Sequence, residues 1–382
     1  MKLNRNALAL AVLGAVVAPA AHAEITIDNV FNSEVSFEGL VQADAYSYSN
    51  DVINLDADAV DGSENDAGMR RAELVLKGKG PGNIEWVLGY DASAGKFLDV
   101  NAKYKIGGDK NHFIQIGQFK QPNSLEELSS TKNNDFVAKA NITNLFGITR
   151  RVGATYNYGG DNWAVAGSVF GRELTRNRAY GQGFGLRGYW APINEQGNIL
   201  HLGLSYIDQD TDADTIRLRS RPNADLSNRL IDSGNLRNAD RQSILGAEAF
   251  WVRGPFKLQG EYMRSKVDRY GAGNSDYTTD GGYVSGVWNV TGETWGYKAG
   301  TPTTPLPDEP ASGMWQLGLR YDTLDLNDGV VHGGKMNTIT AGVNWYWHSN
   351  FKFMLNYVKA TSDRNGLSDD PSIVEARAQF YW

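Results

Sequence analysis

Residues 336–361 read MNTITAGVNWYWHSNFKFMLNYVKAT. Side chains of an extended chain alternate between two faces with a period of two. On that reading Ile339, Ala341, Val343, Trp345 and Trp347 share one face of the first half. Thr338, Thr340, Gly342, Asn344 and Tyr346 share the other. The second half repeats the pattern, with Phe351, Phe353, Leu355 and Tyr357 together. WHSN (347–350) joins the halves as a tight turn. The stretch therefore predicts two strands, each apolar on one side and polar on the other.

The same alternation recurs near 35–48, 69–79, 83–91, 97–106, 111–119, 148–158, 161–171, 181–191, 199–208, 241–253, 255–267, 278–291, 313–323 and 372–382. In 83–91, Ile84, Trp86, Leu88 and Tyr90 oppose Asn83, Glu85, Gly89 and Asp91. In 97–106, Leu98, Val100, Ala102, Tyr104 and Ile106 oppose Asp99, Asn101, Lys103 and Lys105. A soluble sandwich or a membrane barrel could carry such strands, and three features favour the membrane. The polar faces hold glycine and charge rather than bulky core side chains. Trp345, Trp347, Tyr381 and Trp382 stand at strand ends, where an aromatic girdle sits. Tight turns (78–83, 347–350) alternate with long polar segments (55–66, 295–313), the rhythm of periplasmic turns and external loops. Only a closed barrel satisfies every backbone group in lipid. With 213–221 the segments total about 17; single-chain bacterial barrels have even strand numbers, so one is in excess and about 16 are expected. A barrel of that size has room for an aqueous channel. The terminal AQFYW, ending on Trp382, would close it.

The chain opens MKLNRNALALAVLGAVVAPAAHA. Lys2 and Arg5, the apolar run Ala7 to Val17 and the small-x-small site Ala21-His22-Ala23 predict a secretory leader over residues 1–23. The mature domain is then 24–382. After Glu24 no apolar run approaches the ~20 residues of a spanning helix. Cysteine is absent, so no disulfide framework is present. The net charge of −7 argues against a nucleic-acid partner. It leaves a local anion site open, because net charge does not say where charges sit.

One segment raises a functional question. TIRLRSRP (215–222) read as a strand puts Arg217, Arg219 and Arg221 on one side, roughly 7 Å apart, with Ile216 and Leu218 on the other. Arginine on the lipid face costs about 2–4 kcal/mol at the midplane. In a barrel the arginines therefore face the lumen and the aliphatic pair faces lipid. A guanidinium row matches multi-oxygen anions and could pass them from one group to the next. The alternative is a solvated polar loop, since 209–229 is polar and Arg221 precedes Pro222. Elsewhere, alternation sends Arg71 to the lumen with Glu73 and Lys77, leaving Arg70 at an edge or in a kink. Arg151 joins Thr155 and Asn157 in the lumen, after Arg150. Lys120 shares parity with Ile114 and Ile116, so its strand must end or bulge before it. The non-alternating stretch 121–147 follows, as an inward-folded loop. Asp91 has lumenal parity, with Asp99 a rival.

Several stretches together resemble the phosphate-selective porin O/P family. They are GMRRAELVLKGKG (68–80), GQFKQPNSLEELSS (117–130), TRRVGATY (149–156), WQLGLRYDTLDLNDG (315–329), GVNWYW (342–347) and EARAQF (375–380). They span nearly the whole mature chain. The resemblance implies a 16-stranded outer-membrane barrel, a homotrimer, inward loops and an anion path lined by basic residues. It implies an arginine ladder at Arg217, Arg219 and Arg221. It also implies a constriction formed by Arg70, Arg71, Lys120, Arg150, Arg151 and a carboxylate, Asp91 or Asp99. Asn123-Ser124 departs from the family's Phe-Gly, and residues 24–45 carry no lysine or arginine. Both departures bear on phosphate specificity more than on anion passage.

Other signals are weak. LDADAVDG (55–62) offers Asp56, Asp58 and Asp61, but Gly62 is one place late for an EF-hand, so an acidic external loop is the plainer reading and calcium the other. GQGFGLRG (181–188) has glycines at strand spacing, not a phosphate loop. The five histidines have no metal spacing, and no cofactor is expected. The leading expectation is a passive anion channel for phosphate or polyphosphate. The alternative is a general or sugar-conducting porin, disfavoured because most aromatics have lipid-facing parity. A barrel enzyme would need a Ser–His constellation, and no signature of one appears.

Overall fold

The computed structural model describes residues 25–30, 32–57, 64–175 and 180–382. The expected leader, and Asp58 and Asp61 of the acidic loop, lie outside the described residues. Sixteen antiparallel strands close a barrel. They are β1 (Ser33–Ser49), β2 (Asn65–Lys79), β3 (Ile84–Asp91), β4 (Lys96–Lys105), β5 (Phe113–Lys120), β6 (Arg150–Gly159), β7 (Trp163–Phe170) and β8 (Tyr180–Glu195). β9 (Asn198–Thr211), β10 (Ala239–Arg253), β11 (Phe256–Arg269), β12 (Tyr277–Asn289), β13 (Met314–Asp328), β14 (Val331–Trp347), β15 (Phe351–Arg364) and β16 (Ser372–Tyr381) complete it. Each strand pairs with its neighbour in sequence, and β16 pairs back onto β1 from Leu40↔Tyr381 to Ser49↔Ser372. The ring of these sixteen strands is thus closed, as lipid requires, and a further short strand, Ile25–Val30, pairs with the start of β1.

The two faces divide as alternation requires. Leu204 is 64% exposed and Ile116 63%, whereas Gln316 and Thr340 are fully buried inside. Aromatic rings ring one end of the outer wall: Phe256 stacks on Trp288 at 5.8 Å and Trp315 on Trp345 at 5.5 Å, and Phe380 lies tilted against Trp382 at 5.4 Å. Tyr381, expected in that girdle, is buried, because alternation between Phe380 and Trp382 turns it inward.

Three sequence expectations change. Segment 213–221 is not a barrel strand. It is the excess segment, and it lies in the long connection between β9 and β10. Ile216 and Leu218 consequently face a protein core, not lipid. Leu98 also turns inward, because the β3–β4 register shifts between Leu88↔Val100 and Tyr90↔Phe97. Such a bulge flips the faces beyond it. Finally, connections alternate ends around the barrel, which puts 290–313 at the same end as the tight turns 80–83 and 348–350. It is not an external loop.

Candidate functional site

Several of the described connections enter the bore. The 121–149 connection carries two short helices, α1 (Leu125–Leu128) and α2 (Asn141–Phe146). Its base is fixed by the residues that depart from the family pattern. Asn123 Oδ1 accepts Ile148 N at 2.7 Å, and Ser124 Oγ accepts Glu127 N at 3.2 Å as the cap of α1. The Glu261 carboxylate, from the wall, accepts Leu125 N and Glu126 N at 2.9 and 2.8 Å. Between the helices the chain runs along the wall, where inward side chains hold its carbonyls. Lys352 donates to Asn134 O (2.5 Å), Asn344 to Asp135 O (2.8 Å), Arg377 to Val137 O (2.6 Å) and Arg320 to Ala138 O (3.0 Å). Lys257 pairs with Asp135 at 2.6 Å and Arg377 with Asp44 at 2.6 Å. The wall's charged and amide groups thus hold the loop's carbonyls at buried positions, where an unpaired charge would be costly. Phe136 lies against the wall where Gly318 leaves room; a Cβ there would meet its ring at 3.0 Å.

The 212–238 connection folds in from the same end. Two short ladders, Thr215–Ile216 with Leu236–Arg237 and Arg219–Ser220 with Ile231–Asp232, keep TIRLRSRP extended. Alternation therefore operates as in a strand. Ile216, Leu218 and Ser220 are buried, the first two packed with Ile142 and Phe146 of α2. Arg217, Arg219 and Arg221 face a chamber of 700 Å³. Arg217 Nε is 2.8 Å from Asp232 Oδ1, and Arg221 Nε donates to Ser227 O at 2.6 Å. Arg219 and Arg229, also on this chamber, have no carboxylate partner among the described residues. Burial first, then the neighbouring Arg221 and Arg219, push the Arg229 guanidinium down to about 10, against the pull of Asp232.

Two carboxyls anchor the loops. Burial pushes Asp225 up, but Arg70 at 2.7 Å, with Arg377 behind it, outweighs this and holds it at about 2. Glu127 is likewise raised by burial but held at about 2 by Lys139, 2.5 Å away, and Lys120.

A second chamber of 470 Å³ opens toward the other end. There a hairpin pairing Gly296–Lys298 with Thr301–Thr303 enters from the turn side. Arg187 donates to Gly300 O at 3.0 Å, His201 Nδ1 lies 2.8 Å from Tyr297 Oη, and Trp295 is fully buried. Lys298 and Thr301 on this hairpin line the chamber. Two of its cations are paired, Lys77 with Glu38 at 2.6 Å and Arg150 with Asp99 at 2.7 Å, whereas Lys103, Lys132 and Lys298 have no carboxylate partner among the described residues. Five of the described residues line both chambers and so form the neck: Glu73, Leu98, Lys120, Thr131 and Arg150.

Most of the candidate residues named from the sequence converge on this space. Arg70 and Arg71 both face inward because the β1–β2 register shifts between Gln42↔Arg71 and Ala43↔Met69, making Arg70 the inserted residue of a bulge. Lys120 and Arg150 are register partners at the last rung of β5–β6, where the chain leaves the wall. Lys120 Nζ donates to Glu127 O (2.5 Å) and Ser129 O (3.0 Å). Arg151 is buried in the wall of the upper chamber, 3.3 Å from Glu173. Asp91 is occupied by its turn, with Oδ1 accepting Ala72 N at 3.2 Å and Ser93 N at 3.0 Å, whereas Asp99 reaches the neck arginine. Sequence reasoning missed Arg229, which no pattern marks. It also missed the inward Arg320, Lys352 and Arg377, which alternation within their strands would have found.

A family model described as phosphate-selective porin O and P matches residues 41–382. An uncharacterized protein of Caulobacter vibrioides is 30% identical over 333 residues, which is 79% of this chain and 65% of that protein. Porin O of Pseudomonas aeruginosa is 28% identical over 229 residues, 52% of each. The chain thus aligns with only 65% and 52% of the lengths of these relatives. Among solved structures, the outer membrane channel DcaP of Acinetobacter baumannii has a TM-score of 0.60 at 13% identity, over 93% of this chain and 99% of that one. At such identity the likeness concerns the fold alone.

Proposed function

Because the chain belongs to the phosphate-selective porin O and P family, we propose that it is a passive outer-membrane channel favouring anions, with phosphate or polyphosphate as the preferred solute. The observation that carries the reading is the guanidinium group above the neck. Arg219 and Arg229 have no carboxylate partner among the described residues, and Arg221 donates only to a carbonyl. Planar, permanently charged guanidinium groups suit multi-oxygen anions. An anion held there, then drawn to Lys120 and Arg150, would cross by several weak sites rather than one strong one. The channel is proposed to work as a homotrimer, as the family resemblance implies, and to perform no chemistry on its solute.

The test is electrical. In planar bilayers under a chloride gradient the reversal potential is expected to be anion-selective, and added phosphate to reduce the chloride current. A cation-selective reversal potential overturns the anion path. Anion selectivity without phosphate block leaves the second reading, a general pore. The paired charges of the lower chamber, Lys77 with Glu38 and Arg150 with Asp99, favour that alternative.

A further inference from the structure

The neck carries a charge of the wrong sign for an anion path. Among the described residues lining both chambers, Glu73 is the one carboxylate. It stands on β2, in register between Leu40 and Asp91, so the pleat holds it on the lumenal side. Its neighbour across the ladder, Asp91, is fixed by backbone N–H groups and cannot move away to relieve the repulsion. Glu73 is incompletely neutralised. Its Oε1 lies 3.2 Å from Arg71 Nε, while Arg71 Nη1 donates to Gln42 at 2.7 Å. The two neck cations are also partly engaged, Lys120 by two carbonyls and Arg150 by Asp99. A small change of charge here therefore shifts the balance for any ion that pauses between them.

We propose that Glu73 is a specificity-determining residue: its carboxylate limits how long multiply charged anions stay at the neck. The inference rests on the anion-channel reading above. Attraction at the guanidinium group favours multivalent anions in proportion to their charge. A permeating ion must also leave, and repulsion by a fixed carboxylate grows in the same proportion. Attraction upstream and repulsion at the narrowest point would let phosphate enter readily without closing the pore to itself. The strand, rather than a loop, carries the group, so its position is set to within the rigidity of the wall.

The test uses the full-length channel in planar bilayers, with inorganic phosphate as the blocker of chloride current, at pH values below and above the second ionisation of phosphate. A unit charge about 4 Å away in water changes binding of a monoanion about fivefold. Glu73→Gln is expected to lower the half-blocking concentration about fivefold for the monoanion and by about the square of that factor for the dianion. Glu73→Ala removes the same charge and is expected to give the same shifts should the Gln variant not assemble. A wild-type channel that phosphate does not block overturns the anion-channel reading and this inference with it. A blocked wild type whose variants keep its half-blocking concentration, or shift it equally at both pH values, overturns this inference alone.

Discussion

Replacing Arg219 and Arg217 separately by glutamine distinguishes a working arginine from a paired one. The two point into the same chamber from one extended segment, two residues apart. Arg219 has no acidic partner among the described residues, whereas Arg217 holds Asp232 through three hydrogen bonds, from Nε at 2.8 and 3.1 Å and from Nη2. Arg219 is exposed, so the dielectric of water applies. A unit charge at about 4 Å then contributes about 1 kcal/mol toward a monoanion and twice that toward a dianion. The half-blocking concentration of phosphate should rise about fivefold for the monoanion and about 30-fold for the dianion in Arg219→Gln. Contact at this range lies inside the ~10 Å Debye length of 0.1 M salt, so screening reduces the effect without abolishing it. Arg217 is held against Asp232 and is not free to close on the anion, so its charge acts from farther away and the shift in Arg217→Gln should stay below about threefold. The assay is phosphate titration of chloride current in planar bilayers. Equal shifts in the two variants, or none in Arg219→Gln, would refute the argument that unpaired charge, not arginine content, draws the anion.

The inward loops give further tests. Arg377→Met leaves Asp44 buried without its partner and frees Val137 O, a loss of about 3–5 kcal/mol; the expected result is a lower unfolding temperature with noisier single channels, and an unchanged unfolding temperature would count against the buried pair. Asp225 and Glu127 are held at about 2, below their ordinary carboxyl values, so the stability they lend is full above about pH 4.5 and is lost as pH falls toward 2. Current recordings should accordingly stay quiet down to about pH 4 and become unsteady only below it; loosening that begins near pH 6 would contradict those ties. Tyr297→Phe removes the bond to His201, worth about 1 kcal/mol, and should increase flicker between conductance levels as the turn-side hairpin detaches more often. Unchanged traces would show that Trp295 and the Arg187 contact suffice to hold it.

Alternation is a local property, and it carried the reading of the fold. In 336–361, and in the segments like it, each residue's face follows from its neighbours, and the lipid outside fixes which face is apolar. The sequence misled where that period breaks. At Arg70–Arg71 and Leu98–Asp99 a bulge admits an extra residue, and bulges leave no dependable mark in a single sequence. Segment 213–221 misled in the opposite way. It alternates because two-residue ladders inside a loop keep it extended, and its aliphatic face packs on α2 rather than on lipid. The direction of the arginines was legible, but not the element that bears them.

The sequence by itself determined a barrel of about this many strands, its wet inner face, and the inward loop after Lys120, because strand period and the exclusion of charge from hydrocarbon act residue by residue. Which charges remain available to a solute was decided only by the tertiary structure. Whether a guanidinium is free, like that of Arg219, or engaged with a carboxylate, like that of Arg377, depends on groups from distant strands and loops, and electrostatic energy depends on distance in space rather than along the chain.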